Sequence, residues 1–154
     1  MTTIQTVKAC SCIGERTVKE GYKNADIIVN GKVLSIKTDW FSFSRRIKEN
    51  ENADSIDKRL NGYYLKKVLV KKRTMYKEKA ISDTLTIYTG MGGGDCGFKF
   101  KQGCKYIIYG DSESYLGDFF KELPDGQNIY WTNICTRTQV YNLKEIKELE
   151  KIKK

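Results

Sequence analysis

The chain has 154 residues, of which 40% are apolar, and its 28 basic side chains against 19 acidic ones give a formal net charge of +9. A folded chain of this length can bury about 68–70% of the surface that its unfolded form exposes. The 40% of apolar residues are enough for a core, which excludes general disorder. The sequence has no histidine, which excludes a Ser-His-Asp triad, a Cys-His dyad and any metal site with His ligands, and so disfavours most enzyme classes.

The pattern along the chain predicts a short helix, then five or six strands, then a second helix. Residues 14–26 are polar with sparse apolar positions and predict the first helix, whereas the β-branched stretch 27–36 predicts a strand with a bulge or bend at Gly31. Residues 44–60 are charged and nearly free of aromatic residues, which predicts a long surface insertion. Further strands are predicted over 63–76, 84–89, 105–109 and 128–134, the last entered through a turn at 124–126.

The C-terminal segment predicts a helix that packs on the body of the protein. Asn142 with Glu145 three residues later is typical of a capping-box start. An apolar residue follows at every third position, which predicts one narrow buried stripe formed by Leu143, Ile146, Leu149 and Ile152. The whole pattern, with ten tyrosines and a single proline, favours a single mainly β domain, a closed antiparallel β-barrel with flanking helices.

The N-terminal residues 1–9 are polar, and no apolar run in the sequence approaches the ~20 residues that cross a bilayer. They end in Val7-Lys8-Ala9, a small-x-small pattern of the kind that precedes a signal-peptidase cut. Two main interpretations stay open, the remnant of a trimmed signal peptide and an ordinary disordered tail. A lipid-modified Cys10 is a third, although Lys8 fits that signal poorly.

Five cysteines stand at positions 10, 12, 96, 104 and 135, and their spacing does not match a C-x-x-C redox or zinc pair. Bridges between the first two and the later three would tie the N-terminus to the domain, and an odd number leaves at least one thiol over. This usage of cysteine favours an oxidising compartment. We therefore expect a secreted, periplasmic or cell-envelope protein.

The segment 89–97 is rich in glycine and contains Cys96. Residues 92–97 match the G-x-G-x-x-G pattern, but no helical run follows, so a dinucleotide site is rejected, and no Gly-Lys-Ser/Thr follows to make a Walker loop. Glycines of this kind permit a tight loop and the close approach of another segment. The position of Cys96 indicates that the approaching segment is bridged to this loop, while the exposed side of the loop stays available for function.

The Cys10-Ser11-Cys12 sequence places two cysteines on opposite sides of an extended chain. Each cysteine is then expected to pair with a different strand or loop and to hold the segment flat across the domain. One interpretation is purely structural stapling. The other is that the stapled segment is also displayed as a rigid ligand, because preorganisation lowers the entropic cost of binding.

These features together resemble a known family. Cys10-Ser11-Cys12, followed by Asn24-Ala25-Asp26 and a Gly-Lys-Val-Leu strand, resembles the start of the tissue inhibitor of metalloproteinases (TIMP) family. Segment 89–97, segment 134–138 and the spacing of Phe100, Gly103, Tyr106 and Tyr109 are similar to bacterial members. The resemblance runs from Cys10 to about Thr138. It implies a netrin-like OB-fold over residues 10–154, a five-stranded Greek-key β-barrel with a short N-terminal and a C-terminal helix.

The resemblance also implies a pairing of the cysteines. The bridges would be Cys10–Cys96 and Cys12–Cys135, and Cys104 would be the free thiol. A third family bridge is absent because Lys23 stands where a cysteine would precede Asn24.

In animal TIMPs the N-terminal cysteine chelates the zinc of a protease through its α-amino nitrogen and carbonyl oxygen, and the next residue enters the substrate pocket. Carried over, the protease-contacting residues here would be Cys10, Ser11, Cys12, Gly94 and Asp95. Residues 1–9 convert the amine of Cys10 to an amide, so the printed chain is expected to inhibit poorly.

A competing interpretation rests on the basic stretch Lys66–Lys79, which holds seven Lys or Arg residues and one Glu. An OB-type barrel with such a stretch could bind nucleic acid or another polyanion. A solvated lysine-rich strand accounts for the same pattern. The cysteine framework disfavours nucleic acid as the partner.

The sequence shows no sign of a catalytic site, because Cys104 has no histidine base and the carboxylates have no paired spacing. We therefore expect a monomeric, non-enzymatic binding module without a cofactor or metal of its own, whose partner is a zinc metallopeptidase.

Overall fold

The structure is a computed structural model that describes residues 10–14, 16–42, 62–78, 82–112 and 128–154. These residues form helices α1 (Val18–Asn24) and α2 (Leu143–Lys153). The strands are β1 (Ile27–Ser42), β2 (Gly62–Lys77), β3 (Thr84–Thr89), β4 (Lys105–Gly110), β5 (Ile129–Trp131) and β6 (Gln139–Val140). The predictions for residues 1–9, 44–60 and 124–126 concern residues outside the described ranges.

The six strands form one curled sheet, a half-barrel with the order β5-β3-β2-β1-β4-β6. The mainly β fold with two helices is therefore confirmed. The expectation of antiparallel pairing throughout is wrong, because β3 and β5 run parallel while the other neighbours are antiparallel. Parallel neighbours need a crossover connection, and the chain provides it by passing through β4 on the far side of β1 before it reaches β5.

A single backbone bridge links the far edge of the sheet to the end of β4. The N–H of Asp111 donates to the carbonyl of Trp131, and the N–H of Trp131 donates back to Asp111, both at 2.8 Å. Asp111 directly follows β4, and Trp131 lies on β5 at the opposite end of the strand order. The sheet is therefore curled far enough for its two sides to meet at this point.

Successive residues of the strands supply two separate apolar cores, as expected from the alternation of side chains across a sheet. The core inside the curl is formed by Ile27, Val29, Val33, Val68, Val70, Leu85, Ile87, Tyr106 and Ile108. The core between the sheet and the two helices is formed by Val18, Ala25, Ile28, Tyr76, Ile107, Tyr109, Ile146 and Leu149. The parts of the central strands that supply these cores are thus buried on both faces, whereas other parts of the same strands, such as Lys32 on β1 and Lys71 on β2, are exposed.

The predicted bend at Gly31 is confirmed. The β1–β2 register shifts between Asn30 and Gly31, and a Cβ on Gly31 would lie 2.5 Å from the side chain of Val70. Only glycine allows this approach of the two strands. β1 also continues to Ser42, beyond the predicted end at 36, because β2 pairs with it along its length.

The C-terminal helix begins at the predicted place, but two details of the prediction are wrong. Asn142 caps the helix by accepting from the N–H of Lys144 at 2.9 Å, whereas Glu145 does not close a capping box. The carboxylate of Glu145 is instead buried and bound to Arg137. Leu143 is 62% exposed, so the packed stripe starts at Ile146 rather than at Leu143.

A buried polar cluster ties α2 to the sheet. The Glu145 carboxylate accepts from Nε and Nη2 of Arg137 at 2.6 and 2.7 Å, and from the Tyr109 hydroxyl at 2.5 Å. Arg137 also donates to the carbonyl of Arg16, ahead of α1. Burial, together with the Glu145 charge, raises the pKa of Tyr109, so its hydroxyl stays protonated as a donor. This cluster fixes both helices on the same face.

Candidate functional site

Two adjacent disulfides hold the start of the described chain. Cys10 is bridged to Cys96 with 5.4 Å between Cα atoms, and Cys12 is bridged to Cys135 with 5.1 Å. The sulfurs of Cys10, Cys96 and Cys135 all lie within 4.8 Å of one another, so the bridges are in contact. Each of these sulfurs is in a bridge, so none of them is a thiolate that could bind a metal. We call residues 10–14 the clamped segment.

The loop that receives Cys10, residues 90–97, has the tight glycine geometry predicted for it, and we call it the glycine loop. A Cβ on Gly97 would fall on the carbonyl of Gly90, so these two backbones approach as closely as glycine permits. Gly92 and Gly93 have φ of 88° and 108°, and Cys96 itself adopts a φ of 58°. The loop is therefore folded back on itself where the disulfide attaches.

Asp95 holds the glycine loop from within. Its carboxylate accepts from the N–H groups of Met91 at 2.6 Å, of Gly92 at 3.0 Å and of Gly97 at 3.1 Å. Three backbone donors converging on one carboxylate form a turn that resists deformation. The side chain predicted to touch a protease is thus directed into its own loop.

The loop that receives Cys12, residues 132–138, is anchored by side-chain hydrogen bonds, and we call it the Cys135 loop. The Asn133 side-chain oxygen accepts from the N–H of Cys135 at 2.8 Å and of Thr136 at 3.0 Å. The hydroxyl of Thr138 accepts from the N–H of Tyr109 on β4 at 2.9 Å. Ile134 donates its N–H to the carbonyl of Cys96 at 2.9 Å. The two receiving loops are therefore joined to each other as well as to the clamped segment.

The surface formed by these three segments carries exposed apolar side chains. Ile13 is fully exposed, Ile134 is 47% exposed and Met91 is 39% exposed. Each of them lies on a different one of the three segments. Exposed apolar groups brought together on a rigid surface are typical of protein-binding sites. We call this surface, made of the clamped segment, the glycine loop and the Cys135 loop, the clamped ridge.

The structure brings the predicted protease-contacting residues together on the clamped ridge. Cys10 is half-buried, Ser11 and Cys12 are exposed, and Gly94 is exposed on the glycine loop. Sequence reasoning missed Ile13, Met91 and Ile134, although each lies close to one of the bridged cysteines in the sequence. Cys104 is the free cysteine among the described residues, and it is exposed.

The basic stretch Lys66–Lys79 divides in the structure, and Lys79 lies outside the described ranges. Lys77 serves the fold, because its Nζ donates to the carbonyls of Tyr22 at 2.8 Å and of Ala25 at 2.5 Å, at the C-terminal end of α1. Lys72 lies 3.8 Å from the exposed carboxylate of Asp83. Lys71 and Arg73 are exposed on β2. The stretch is therefore not one continuous binding face.

No protein-family model and no curated protein matches this chain. Neither α1 nor α2, the helices of the described ranges, is long and apolar enough to cross a bilayer. The features of this protein that bear on its function are the geometry of the clamped ridge and the distribution of charge.

Proposed function

We propose that this chain is a non-catalytic protein-binding module of the TIMP type, in which the clamped ridge docks on a zinc metalloendopeptidase. In this proposal Cys10 chelates the zinc of the enzyme when it is the first residue of the chain, and Ser11 enters the substrate pocket. The observation that carries the proposal is the pair of adjacent disulfides that fixes Cys10 and Ser11 between two structured loops.

The arrangement of the strands supports an OB-type barrel for this module. β1 lies between β2 and β4, β3 pairs with β5 in parallel, and the Asp111–Trp131 bridge brings β5 back to the end of β4. A curled sheet with this order is compatible with a Greek-key barrel of five strands, to which β6 adds a short edge. The two disulfides are compatible with an extracellular or envelope location.

A chelating N-terminus has strict chemical requirements. The α-amino nitrogen must be a primary amine in its neutral form, and such groups titrate near ~7.7–8.0. It must also be held beside its own carbonyl oxygen, and a bridge at each of Cys10 and Cys12 restricts that geometry before binding. In the printed chain nine residues precede Cys10, so its nitrogen is an amide.

The test compares three forms of the protein that differ only at the N-terminus. One begins at Cys10, one carries a single extra alanine before Cys10, and one is the printed chain from Met1. We expect the first form to inhibit one or more zinc metalloendopeptidases in a panel with a fluorogenic peptide, and the alanine-extended form to be at least 100-fold weaker. Inhibition by the first form should strengthen from pH 6.5 to 8.5 as the amine loses its proton.

Each form needs the same disulfide content and the same thermal melt, so that only the amine differs. Equal inhibition by all three forms would contradict zinc chelation by Cys10. Absence of inhibition by the form that begins at Cys10, across metalloendopeptidases that share the zinc-bound water mechanism, would contradict the proposed function itself.

A further inference from the structure

Three lysines from three different strands stand side by side across the sheet. Lys32 on β1 is in register with Lys71 on β2 and with Lys105 on β4. Residues in register on neighbouring strands project from the same face, and strands lie about 4.8 Å apart. All three residues are exposed. We call this set the lysine row, and it spans roughly 10 Å across the strands.

The lysine row has no acidic partner within the described residues. The ion pair nearby joins Lys72 to Asp83, and none of the three lysines of the row forms one with a described carboxylate. Like charges placed directly opposite on adjacent strands destabilise a sheet. Lys32 faces such a neighbour on both sides, so the row is an arrangement that a bound anion would stabilise.

A cavity of about 200 Å³ lies at the lysine row. It is lined by Asn30, Gly31, Lys32, Lys71, Lys72, Arg73 and Lys105. It sits beside the shift in register between Asn30 and Gly31, where the missing side chain of Gly31 leaves room for Val70 and for the carbonyl of Lys71. Five cationic residues from three strands therefore surround this cavity, whose inner surface is mostly apolar, and its volume admits a group of several heavy atoms.

Asn30 lines the cavity but offers it no acceptor. Its Oδ1 is fully buried and has no hydrogen-bond partner among the described residues, so this oxygen is not accessible from the cavity. A ligand in the cavity would therefore meet the cationic residues.

We propose that the lysine row and its cavity bind an anionic polymer that carries phosphate or sulfate esters, that is, a phosphorylated or sulfated saccharide or polyol. The ester oxygens contact Lys32, Lys71 and Lys105. Several weak contacts along one polymer give stronger binding than one contact, because the first contact raises the effective concentration of the remaining ester groups at the protein surface.

The observations favour such a polymer over single-stranded nucleic acid. Binding of nucleic acid on a barrel face normally combines cations with aromatic rings on which bases stack. No aromatic side chain lines this cavity among the described residues. Trp40 lies eight residues from Lys32 along β1, about 26 Å of strand, and the exposed Tyr64 is its partner in register on β2.

The test measures binding to four immobilised probes at ~0.15 M salt, namely dextran sulfate, phosphorylated dextran, unmodified dextran and a thymidine oligonucleotide. The row variant carries Lys32→Gln, Lys71→Gln and Lys105→Gln. The matched control carries Lys144→Gln, Lys147→Gln and Lys151→Gln on the exposed face of α2, so it loses the same three charges. The row variant should melt no lower than the parent, because it removes repulsion between neighbouring lysines. Thermal melts of both variants check that each is folded.

We expect the parent to bind at least one of the two ester-bearing dextrans and not the unmodified one. The row variant should bind at least tenfold more weakly, and the α2 variant less than threefold more weakly. Binding of only one ester identifies which of the two the site takes. An equal loss in both variants would show attraction by net charge alone and would overturn the proposal, and so would tighter binding to the oligonucleotide than to either dextran ester.

Discussion

At the scale of single residues, the surroundings of each carboxylate decide its role in this molecule. Glu145 is 4% exposed and holds Arg137 through two short charged hydrogen bonds. Asp95 accepts three backbone N–H groups within its own loop. Both residues look like surface acids in the sequence, where Asp95 follows three glycines and Glu145 is in a helix with many charges. Their structural roles depend on partners that are brought close only by folding.

Asp111 is the described carboxyl group with the largest change in acidity. Burial away from water raises the pKa of Asp111 to about 6 from an ordinary value of 3.8, the charge of Asp26 adds to the rise, and Arg16 and Lys77 oppose it. The folded chain therefore holds this proton more tightly than the unfolded chain. Its contribution to stability is fully present below about pH 4 and is lost as the pH rises through about 6.

Replacing Asp111 with asparagine should therefore stabilise the protein at neutral pH. Asp111→Asn keeps the backbone bridge to Trp131 and removes the buried charge, so we expect a gain on the order of 1 kcal/mol at pH 7, since partial solvent contact reduces the full effect. The gain should vanish at pH 4. Thermal melts from pH 4 to 8 measure this, with Asp83→Asn at an exposed position as the control. A gain that does not change with pH would contradict the assigned charge effect.

At the scale of elements, the glycine loop shows why a segment without regular structure can be rigid. Its glycines let Gly90 and Gly97 approach, and Asp95 then satisfies three N–H groups that would otherwise need water. The disulfide from Cys10 attaches at Cys96, one residue after Asp95. This carboxylate therefore supports the attachment of the clamped segment at Cys96, beside the second attachment at Cys135.

Asp95→Asn should loosen the glycine loop. The amide keeps the size of the side chain and one acceptor oxygen for Gly92 and Gly97, but it places an NH2 group against the exposed N–H of Met91, and loss of such a hydrogen bond costs about 0.5–1.5 kcal/mol. We expect a loss of unfolding free energy of that order in urea, and faster reduction of Cys10–Cys96 by dithiothreitol than of Cys12–Cys135. The matched control is again Asp83→Asn, which should change neither quantity. Unchanged stability and unchanged reduction in Asp95→Asn would show that the loop does not depend on this carboxylate.

The long and regular elements could be predicted from the sequence, because alternation of buried and exposed residues is a local property. This applies to β3 and to the predicted part of β1, residues 27–36. The two-residue strand β6 was missed because it is too short to show a period. The extension of β1 to Ser42 was missed because it follows from pairing with β2 rather than from its own residues.

The two candidate sites also differ in how far they could be predicted from the sequence. The five residues predicted for the ridge cluster around cysteines, and the bridges seen are the pairs that the family resemblance implies. The lysine row could not be predicted, since Lys32, Lys71 and Lys105 are far apart in the sequence and meet through strand register.

At the scale of the whole molecule, the two proposed surfaces lie at opposite ends of β3. Thr84, its first residue, is in register with Lys71 of the lysine row, and the glycine loop begins after Thr89, its last residue. Five steps along a strand separate these ends by roughly 17 Å. A protein partner on the clamped ridge and an anionic polymer on the lysine row would therefore contact different parts of the sheet.

The most direct test of the clamped ridge is the disulfide map of the unreduced protein. Free thiols are alkylated, the chain is digested, and tandem mass spectrometry that cleaves the backbone between Cys10 and Cys12 assigns each partner. We predict Cys10 linked to Cys96, Cys12 linked to Cys135, and alkylated Cys104. A bridge that includes Cys104, or exchanged partners for Cys10 and Cys12, would contradict the geometry on which the ridge depends.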